Sequence, residues 1–188
     1  MSNANKPFST EKLRTLMNGE NGHASTNRFK VELPIINGTP KPGGGSASTS
    51  IAGEDLNLLC TAARLPGTQI NTIDRQIGME PKKIAVGRVT TDVSLTFYLT
   101  NTYSAREYWQ EWMDCVASPT APFMAGYLET YGKDVKIQQL DRFGDPVYKV
   151  KLVKAYPINL SEVEFNNQAN TSGAEFTVTL AYPEYEVY

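Results

Sequence analysis

The chain has 188 residues, enough to bury a hydrophobic core without disulfides or a metal. Its 18 lysines and arginines against 20 aspartates and glutamates give a formal net charge of −2, which argues against a general attraction to nucleic acid or an anionic membrane. No apolar run approaches the roughly 18 to 20 residues of a membrane span, and the two cysteines, Cys60 and Cys115, are interpreted as buried thiols.

A polar N-terminal arm, residues 1–26, precedes an expected β-domain of residues 27–188. Three apolar residues at helical spacing predict a short helix within the arm: Leu13, Leu16 and Met17. Such a patch buries little by itself, and the alternative to an ordered arm is disorder in an isolated chain.

The first strand of the domain is predicted around Phe29, Val31 and Leu33, which alternate with polar residues. Residues 37–53 are rich in Gly, Pro, Ser, Thr and Ala, a composition that predicts a flexible insertion. A second strand is predicted over 56–62.

Residues 68–81 form a long connection of mixed character after the breaker Leu65-Pro-Gly67. Apolar residues on a long connection suggest docking. The candidates are Ile70, Ile73, Ile77 and Met79.

The clearest strand signal follows, within a strand predicted over 84–100 that is interrupted near Gly87. Its apolar residues alternate strictly with polar ones, the period of a strand that is buried on one face. The apolar set is Val93, Leu95, Phe97 and Leu99, and the polar set begins with Asp92, Ser94 and Thr96.

A helix is predicted next, with Ser104 and Glu107 as a capping box. Its apolar residues recur at helical spacing and form one stripe, which favours core packing or an interface over chemistry. The stripe contains Tyr108, Trp109, Trp112 and Met113.

The C-terminal third predicts more antiparallel strands. Residues 141–145 have the composition of a hairpin turn between two apolar runs, the second of which is expected to end at 155–157. The last strand, 175–182, alternates again and carries Glu175, Thr177 and Thr179 on its polar side. The pattern predicts a mainly β, antiparallel fold with one main helix.

Catalytic and metal chemistry lack their usual residues. The single histidine, His23, lies in the polar arm, so neither a nucleophilic triad nor a zinc site is expected. The glycines at 43–45 are followed by no Gly-Lys-Ser/Thr. We therefore predict no catalytic residue, no metal ligand and no cofactor.

The order of several short motifs resembles the tail tube proteins of T-even-type contractile phages, over residues 27–185. The motifs are Arg64-Leu-Pro-Gly67, Lys83-Ile-Ala-Val-Gly-Arg88, Glu107-Tyr-Trp-Gln-Glu-Trp112, Tyr156-Pro-Ile-Asn159 and Phe176-Thr-Val-Thr-Leu180. No single motif identifies that family, and the long arm and the 37–53 insertion are additions to its pattern.

The resemblance implies a β-sandwich or barrel with a flanking helix, assembled as hexameric rings that stack into a hollow tube inside a contractile sheath. The tube would conduct the genome into the host, belong to the virion and assemble in the host cytoplasm. Implied partners are the sheath, the baseplate or tube initiator, the tail terminator, the tape measure protein and passing double-stranded DNA that is not specifically bound. No stable membrane anchoring is implied.

The resemblance also assigns surfaces. Residues 68–85 would reach the adjacent ring, and the N-terminal arm, 1–26, and the C-terminal tail, 183–188, would be contact segments. A polar strand face would line the lumen: Asp92, Ser94, Thr96, Glu175, Thr177 and Thr179. Lysines on other strands argue against a lumen free of positive charge.

Other functions stay open from sequence alone. A tube subunit of a non-phage contractile injection system or of type VI secretion would share this fold. A soluble β-sandwich binding module belongs to a different class, and an enzyme is the weakest option because convergent acid, base or metal groups are missing.

Overall fold

The computed structural model describes residues 10–19, 24–51, 53–77, 80–121, 123–163, 165 and 173–188. The helices are α1 (Thr10–Gly19), α2 (Gly53–Leu58), α3 (Ser104–Val116) and α4 (Leu128–Tyr131). The strands are β1 (Phe29–Glu32), β2 (Cys60–Ala63), β3 (Thr68–Ile77), β4 (Glu80–Thr90), β5 (Val93–Tyr98), β6 (Lys133–Leu140), β7 (Pro146–Leu160), β8 (Glu175–Ala181) and β9 (Glu184–Val187).

All strand pairs are antiparallel, in the order β1-β6-β7-β8-β5-β2, with β9 also on β7 and with β3 and β4 as a separate ribbon. The predicted mainly β fold with one main helix is confirmed. The predicted hairpin turn at 141–145 is also confirmed, closed by the Asp141 N–H bonded to the Asp145 carbonyl at 2.8 Å.

Strand β7 joins two halves of the sheet. Its first part pairs with β6 and β9, and its last part pairs with β8. Between them Lys154 has a φ of 51°, a left-handed conformation that is uncommon outside glycine. Its N–H donates to Asp134 Oδ1 at 3.1 Å, and its ammonium donates to Glu129 at 2.5 Å. These contacts hold Lys154 at the register shift of the β6–β7 ladder, just before the part of β7 that pairs with β8.

The core lies between the two halves of the sheet and α3. In register, Leu95 faces Val178, and Phe97 stacks on Phe176 with ring centroids 5.7 Å apart. All four side chains are buried. The alternation in β5 and β8 therefore separates an apolar core face from a polar face, as the sequence predicted.

Helix α3 packs its tryptophans into this core. Trp109 lies 5.3 Å from the Phe97 ring and stacks on Trp112 at 5.4 Å. The Tyr108 hydroxyl donates to the Pro34 carbonyl at 2.6 Å. The predicted stripe is confirmed as core for these three aromatic residues, whereas Met113 is only half-buried.

The predicted capping box is wrong. Tyr103, with a φ of 57°, is the N-cap and provides no side-chain cap, and Ser104 is already helical. The Glu107 carboxylate instead accepts a bond from the Ser50 hydroxyl at 3.4 Å. A tertiary contact from a distant loop has thus replaced the local one.

The strand predicted over 56–62 is also wrong in part, because its first residues form α2. Leu56 is buried and Leu58 is 85% exposed, so the two leucines do not share a face. Glu54 and Asp55 in the first turn favour a helix N-terminus. Only Cys60 to Ala63 is extended, and Cys60 is half-buried while Cys115 is buried as predicted.

The connection after residue 67 proves to be the β3–β4 hairpin rather than a loop. The register of this hairpin shifts at a bulge opposite Asn71 and Thr72, beside Gly87. The end of β4 and the start of β5 are separated by residues 91–92, which are not part of a strand. Sequence alternation is weak here because neither face is buried in a core. One C-terminal expectation also needs correction, because β7 continues through Pro157 to residue 160. The tail forms β9, which pairs with β7 of the same subunit, and its contacts with other subunits stay a prediction.

The insertion predicted as flexible over 37–53 makes defined contacts over its described part. The Gly38 N–H donates to the Ala47 carbonyl at 3.0 Å, and Lys41 pairs with Glu111 of α3 at 2.8 Å. Burial opposes ionisation of Glu111, yet the bonds from Lys41 and the Ser48 N–H outweigh it and lower the pKa of this carboxyl.

The two tryptophans provide a matched test of this core. The Trp112 Nε1 donates to the Tyr131 carbonyl at 2.9 Å, whereas the Trp109 Nε1 meets no acceptor among the described residues. We expect Trp112→Phe to lower the free energy of unfolding by about 1–2 kcal/mol more than Trp109→Phe, because it leaves the Tyr131 carbonyl without its hydrogen-bond donor. Urea unfolding with unchanged m-values measures the difference. Equal losses would contradict it.

Candidate assembly surfaces

The polar face of β5 and β8 is the first candidate surface. Ser94 lies opposite Thr179, and Thr96 lies opposite Thr177 with their hydroxyl oxygens 3.2 Å apart. All four side chains are half-buried. The register thus places these predicted lumen residues on one face, which is neutral and lined by hydroxyls. Their orientation towards a lumen stays a prediction.

The two charged members of that set lie at opposite ends of the face. Asp92 is exposed just before β5, and Glu175 is exposed at the start of β8. The face between them therefore has hydroxyl chemistry rather than strong charge.

The lysines that argued against a lumen free of positive charge lie on strands β6 and β7, and one of them is next to β1. Lys136 pairs with Glu32 at 3.4 Å, and Lys151 pairs with Asp134 at 2.8 Å. The hydrogen bond from Lys151 lowers the pKa of Asp134. These cations are neutralised on the β6–β7 part of the sheet, away from the hydroxyl-lined face of β5 and β8.

The β3–β4 hairpin is the second candidate surface. Every residue from 69 to 89 whose side chain is described is exposed. Ile70 and Ile73 are each 56% exposed, and Ile73 lies directly opposite Ile84. Of the other predicted interface residues, Met79 lies outside the described residues, as does the side chain of Ile77.

Sequence reasoning missed three apolar residues on the second arm of the hairpin. They are Ile84, Val86 and Val89, all exposed. They were assigned to the strand predicted over 84–100 and interrupted near Gly87, although Ile84 also lies within residues 68–85, which the resemblance assigned to the adjacent ring. The signal that could have found them is the cluster of β-branched residues on both sides of residues 78–79, which predicts a hairpin rather than a loop.

The base of the hairpin is clamped to β9. The Arg88 guanidinium donates to the Tyr185 hydroxyl at 2.7 Å and lies 5.7 Å from the ring centroid, and the Thr68 and Tyr185 hydroxyls are 3.0 Å apart. The Thr68 hydrogen bond, assisted by the Arg88 charge, lowers the pKa of Tyr185. The Thr91 N–H also donates to the Gly67 carbonyl at 3.0 Å.

Free strand edges form the third candidate surface. In the order β7-β8-β5-β2, the outer edges belong to β2 and to the last part of β7. Unpaired edges present N–H and C=O groups that can pair with another chain. β2 is only four residues long, and Pro157 interrupts the donors of β7. Such edges limit indiscriminate pairing.

The described residues offer neither a cluster of metal ligands nor a membrane-spanning helix. They contain no group of three His, Cys, Asp or Glu side chains that could hold a metal ion. No helix among them is long and apolar enough to cross a bilayer. Burial raises the pKa of the Cys60 thiol to about 12, so this thiol is protonated at neutral pH.

A family model described as phage tail tube protein matches residues 24–188. The tail tube protein gp19 of Enterobacteria phage T4 is 25% identical over 140 residues, 73% of this chain and 85% of that protein. Its namesake in Enterobacteria phage T6 is 26% identical over the same shares.

Two solved structures share the fold. The tube terminating cap of the anti-feeding prophage superposes with a TM-score of 0.60 at 15% identity, over 100% of this chain and 99% of that one. A chain of the PVC sheath-tube complex of an extracellular contractile injection system gives 0.55 at 13% identity, over 96% and 98%. At these identities the likeness is one of fold.

The clamp at the hairpin base yields a prediction. Arg88→Gln removes a cation and a donor, so the pKa of Tyr185 is expected to rise towards 10.0 and hydrogen exchange near Thr68 to accelerate. The pH titration of the Tyr185 ring carbon signal in ¹³C-labelled protein measures the first effect. Lys149→Gln, beside the ring of Tyr188 instead, is the control. An unchanged Tyr185 titration in Arg88→Gln would refute the clamp.

Proposed function

Because this chain belongs to the phage tail tube protein family, we propose that it is the structural subunit of the inner tube of a contractile phage tail. Subunits close into hexameric rings, and rings stack into a hollow conduit for the genome. The observation that carries this proposal is that one subunit combines three separate surfaces that a tube needs, namely free sheet edges, a hydroxyl-lined strand face and a hairpin whose described side chains from 69 to 89 are exposed.

Ring closure is assigned to the free edges of β2 and of the last part of β7. They lie on opposite sides of the same four strands, so the edge of one subunit can meet the other edge of its neighbour. This is a heterologous contact, which closes into a ring when the rotation per subunit allows it. Closure removes both exposed edges.

The lumen is assigned to the hydroxyl-lined face. Its centre, Ser94, Thr96, Thr177 and Thr179, has no cation to pair with a phosphate. A fixed cation in every ring would pair with a phosphate and release counterions, and the resulting affinity for DNA would slow its passage. A neutral wall with acidic residues at its ends, Asp92 and Glu175, favours passage without binding.

Stacking is assigned to the β3–β4 hairpin, residues 68–90. A monomer gains nothing from keeping Ile73 and Ile84, which lie directly opposite each other, in water, whereas burying them against a second ring contributes about 25 cal/mol per Å² of apolar surface.

The remaining partners follow from this role. The outside of the tube meets the sheath, and its two ends meet the baseplate or tube initiator and the tail terminator. The tape measure protein and then double-stranded DNA occupy the lumen, and DNA is not specifically bound. The protein is placed in the virion after assembly in the host cytoplasm, and its role is structural rather than catalytic.

The same architecture would serve a tube that delivers proteins instead of DNA. The match to the phage family and to the T4 and T6 relatives favours the phage function over an injection system or a type VI secretion tube. A binding module is disfavoured because the aromatic stripe of α3 is packed into the core, where it is unavailable to a ligand.

Electron microscopy of the concentrated protein, seeded with baseplates where elongation requires a template, tests the proposal. Hollow tubes built from six-fold rings are expected. Protein that forms neither rings nor tubes under both conditions would refute it and favour the binding module.

A variant separates stacking from ring closure. Ile73→Asp places a charge in the apolar part of the hairpin, so we expect folded subunits and rings but at least tenfold fewer stacked rings, as about 1.4 kcal/mol lost per contact gives that factor. Gln76→Asp adds the same charge on the other face of the hairpin and is the matched control. Normal tube lengths in Ile73→Asp would remove the hairpin from the interface.

A further inference from the structure

The hairpin leaves the subunit at one end of the sheet, here called the hairpin end. β2 ends and β5 begins there, and the ribbon of β3 and β4 continues their pairing beyond it, with the Arg64 N–H still bonded to the Ser94 carbonyl at 3.0 Å. The opposite end, where β2 and β8 begin and β5 finishes, is called the acidic end. The topology thus fixes a direction along the subunit.

One face of the hairpin carries a charge arrangement that its own fold does not explain. Arg75 lies directly opposite Lys82, one cross-strand step beyond the Ile73 and Ile84 pair on the same face. Like charges in direct register destabilise a ladder. Neither cation lies within salt-bridge distance of a carboxylate in the described part of the chain. Over residues 68–90 four cationic side chains stand against two carboxylates.

The acidic end has the complementary character. Glu54 and Asp55 open α2, Glu162 follows β7, and Glu175 begins β8, all of them exposed. Arg106 is nearby, and its guanidinium donates to the Ser161 carbonyl at 3.2 Å. Carboxylates therefore dominate the described surface of this end.

Apolar side chains lie among these carboxylates. Leu58, the last residue of α2, is 85% exposed, while Tyr98 and Tyr103 are exposed where β5 gives way to α3. Tyr98 is in register with Glu175. The acidic end thus presents apolar groups beside carboxylates, as the hairpin presents apolar groups beside cations.

We infer that the acidic end is the receptor for the β3–β4 hairpin of a second copy of this chain in the next ring. The inference rests on the proposed tube function and adds its polarity and its receptor. Ile73 and Ile84 pack against Leu58 and the tyrosines, and Arg75 and Lys82 pair with the carboxylates. Because the two surfaces lie at opposite ends of one subunit, the contact is heterologous and propagates instead of closing.

The dimensions suit this contact. The six residues of β5 span about 20 Å, whereas the ten residues of β3 span about 33 Å at roughly 3.3 Å per residue. A hairpin longer than the strand that it continues reaches past the boundary of its own ring.

Reciprocal charge reversal tests the pairing. A hairpin variant combines Arg75→Glu with Lys82→Glu, and an end variant combines Glu162→Lys with Glu175→Lys. Each alone is expected to form rings, with stacking lost. The chain that carries all four substitutions is expected to stack again, because each reversed surface meets its reversed partner. Rings and tubes are counted by electron microscopy at fixed ionic strength.

A control separates pairing from net charge. Glu184→Lys with Glu186→Lys on β9 changes the net charge by the same amount as the end variant. Added to the hairpin variant, it should not restore stacking. Restoration by these β9 substitutions, or no restoration by the acidic-end substitutions, would overturn the inference.

The remaining outcomes are equally decisive. An end variant that stacks normally overturns the receptor but leaves the tube function in place, since wild-type tubes still form. Loss of rings in the folded hairpin variant, without loss in Ile73→Asp, would assign the cations to a neighbour within the ring and overturn the inference. Failure of the wild type to form any ring refutes the tube function itself.

Discussion

The antiparallel register of β5 with β8 is the constraint on which the other features depend. It sets Leu95 against Val178 and Phe97 against Phe176 on one face, and hydroxyls against hydroxyls on the other. A slip of one residue would exchange the two faces. The tryptophans of α3 would then lose the surface on which they pack, and the wall assigned to the lumen would become apolar. Fold and function are thus set by the same pairing.

The hairpin has the opposite character. Every described side chain from residue 69 to residue 89 is exposed, so the isolated protein gains little from burying them, and the base is held by Arg88, Thr68 and Tyr185 instead of a core. A small protein has only about 5–15 kcal/mol of net stability, and the proposed stacking gives these exposed apolar side chains a role that they lack in the monomer.

Strands with one buried face could be predicted from the sequence, since alternation in β5 and β8 reports burial directly. The aromatic stripe of α3 was predictable for the same reason. The hairpin was missed because it has no buried face. The capping box predicted for α3 was wrong because the Glu107 carboxylate accepts a hydrogen bond from Ser50, a distant residue, instead of from the helix terminus. The Arg88–Tyr185 clamp joins residues 97 apart in sequence, which no local pattern reports. The assembly surfaces were predicted by resemblance, and their chemistry became visible only in the register.

Ring closure should precede stacking for a physical reason. When one hairpin binds one acidic end, the contact must offset the loss of translational and rotational freedom, which costs about 4–15 kcal/mol. A single narrow hairpin buries little surface, and salt screens its charges, so one such contact is weak. A ring presents several such hairpins at once, and after the first engages, the others bind at high effective concentration. The repulsion between Arg75 and Lys82 sharpens this difference, because it weakens the free hairpin and is relieved only when carboxylates surround it. In the proposed tube, subunits with these surfaces would stay apart singly and stack as rings, and a pre-formed ring would be the template for growth of the tube.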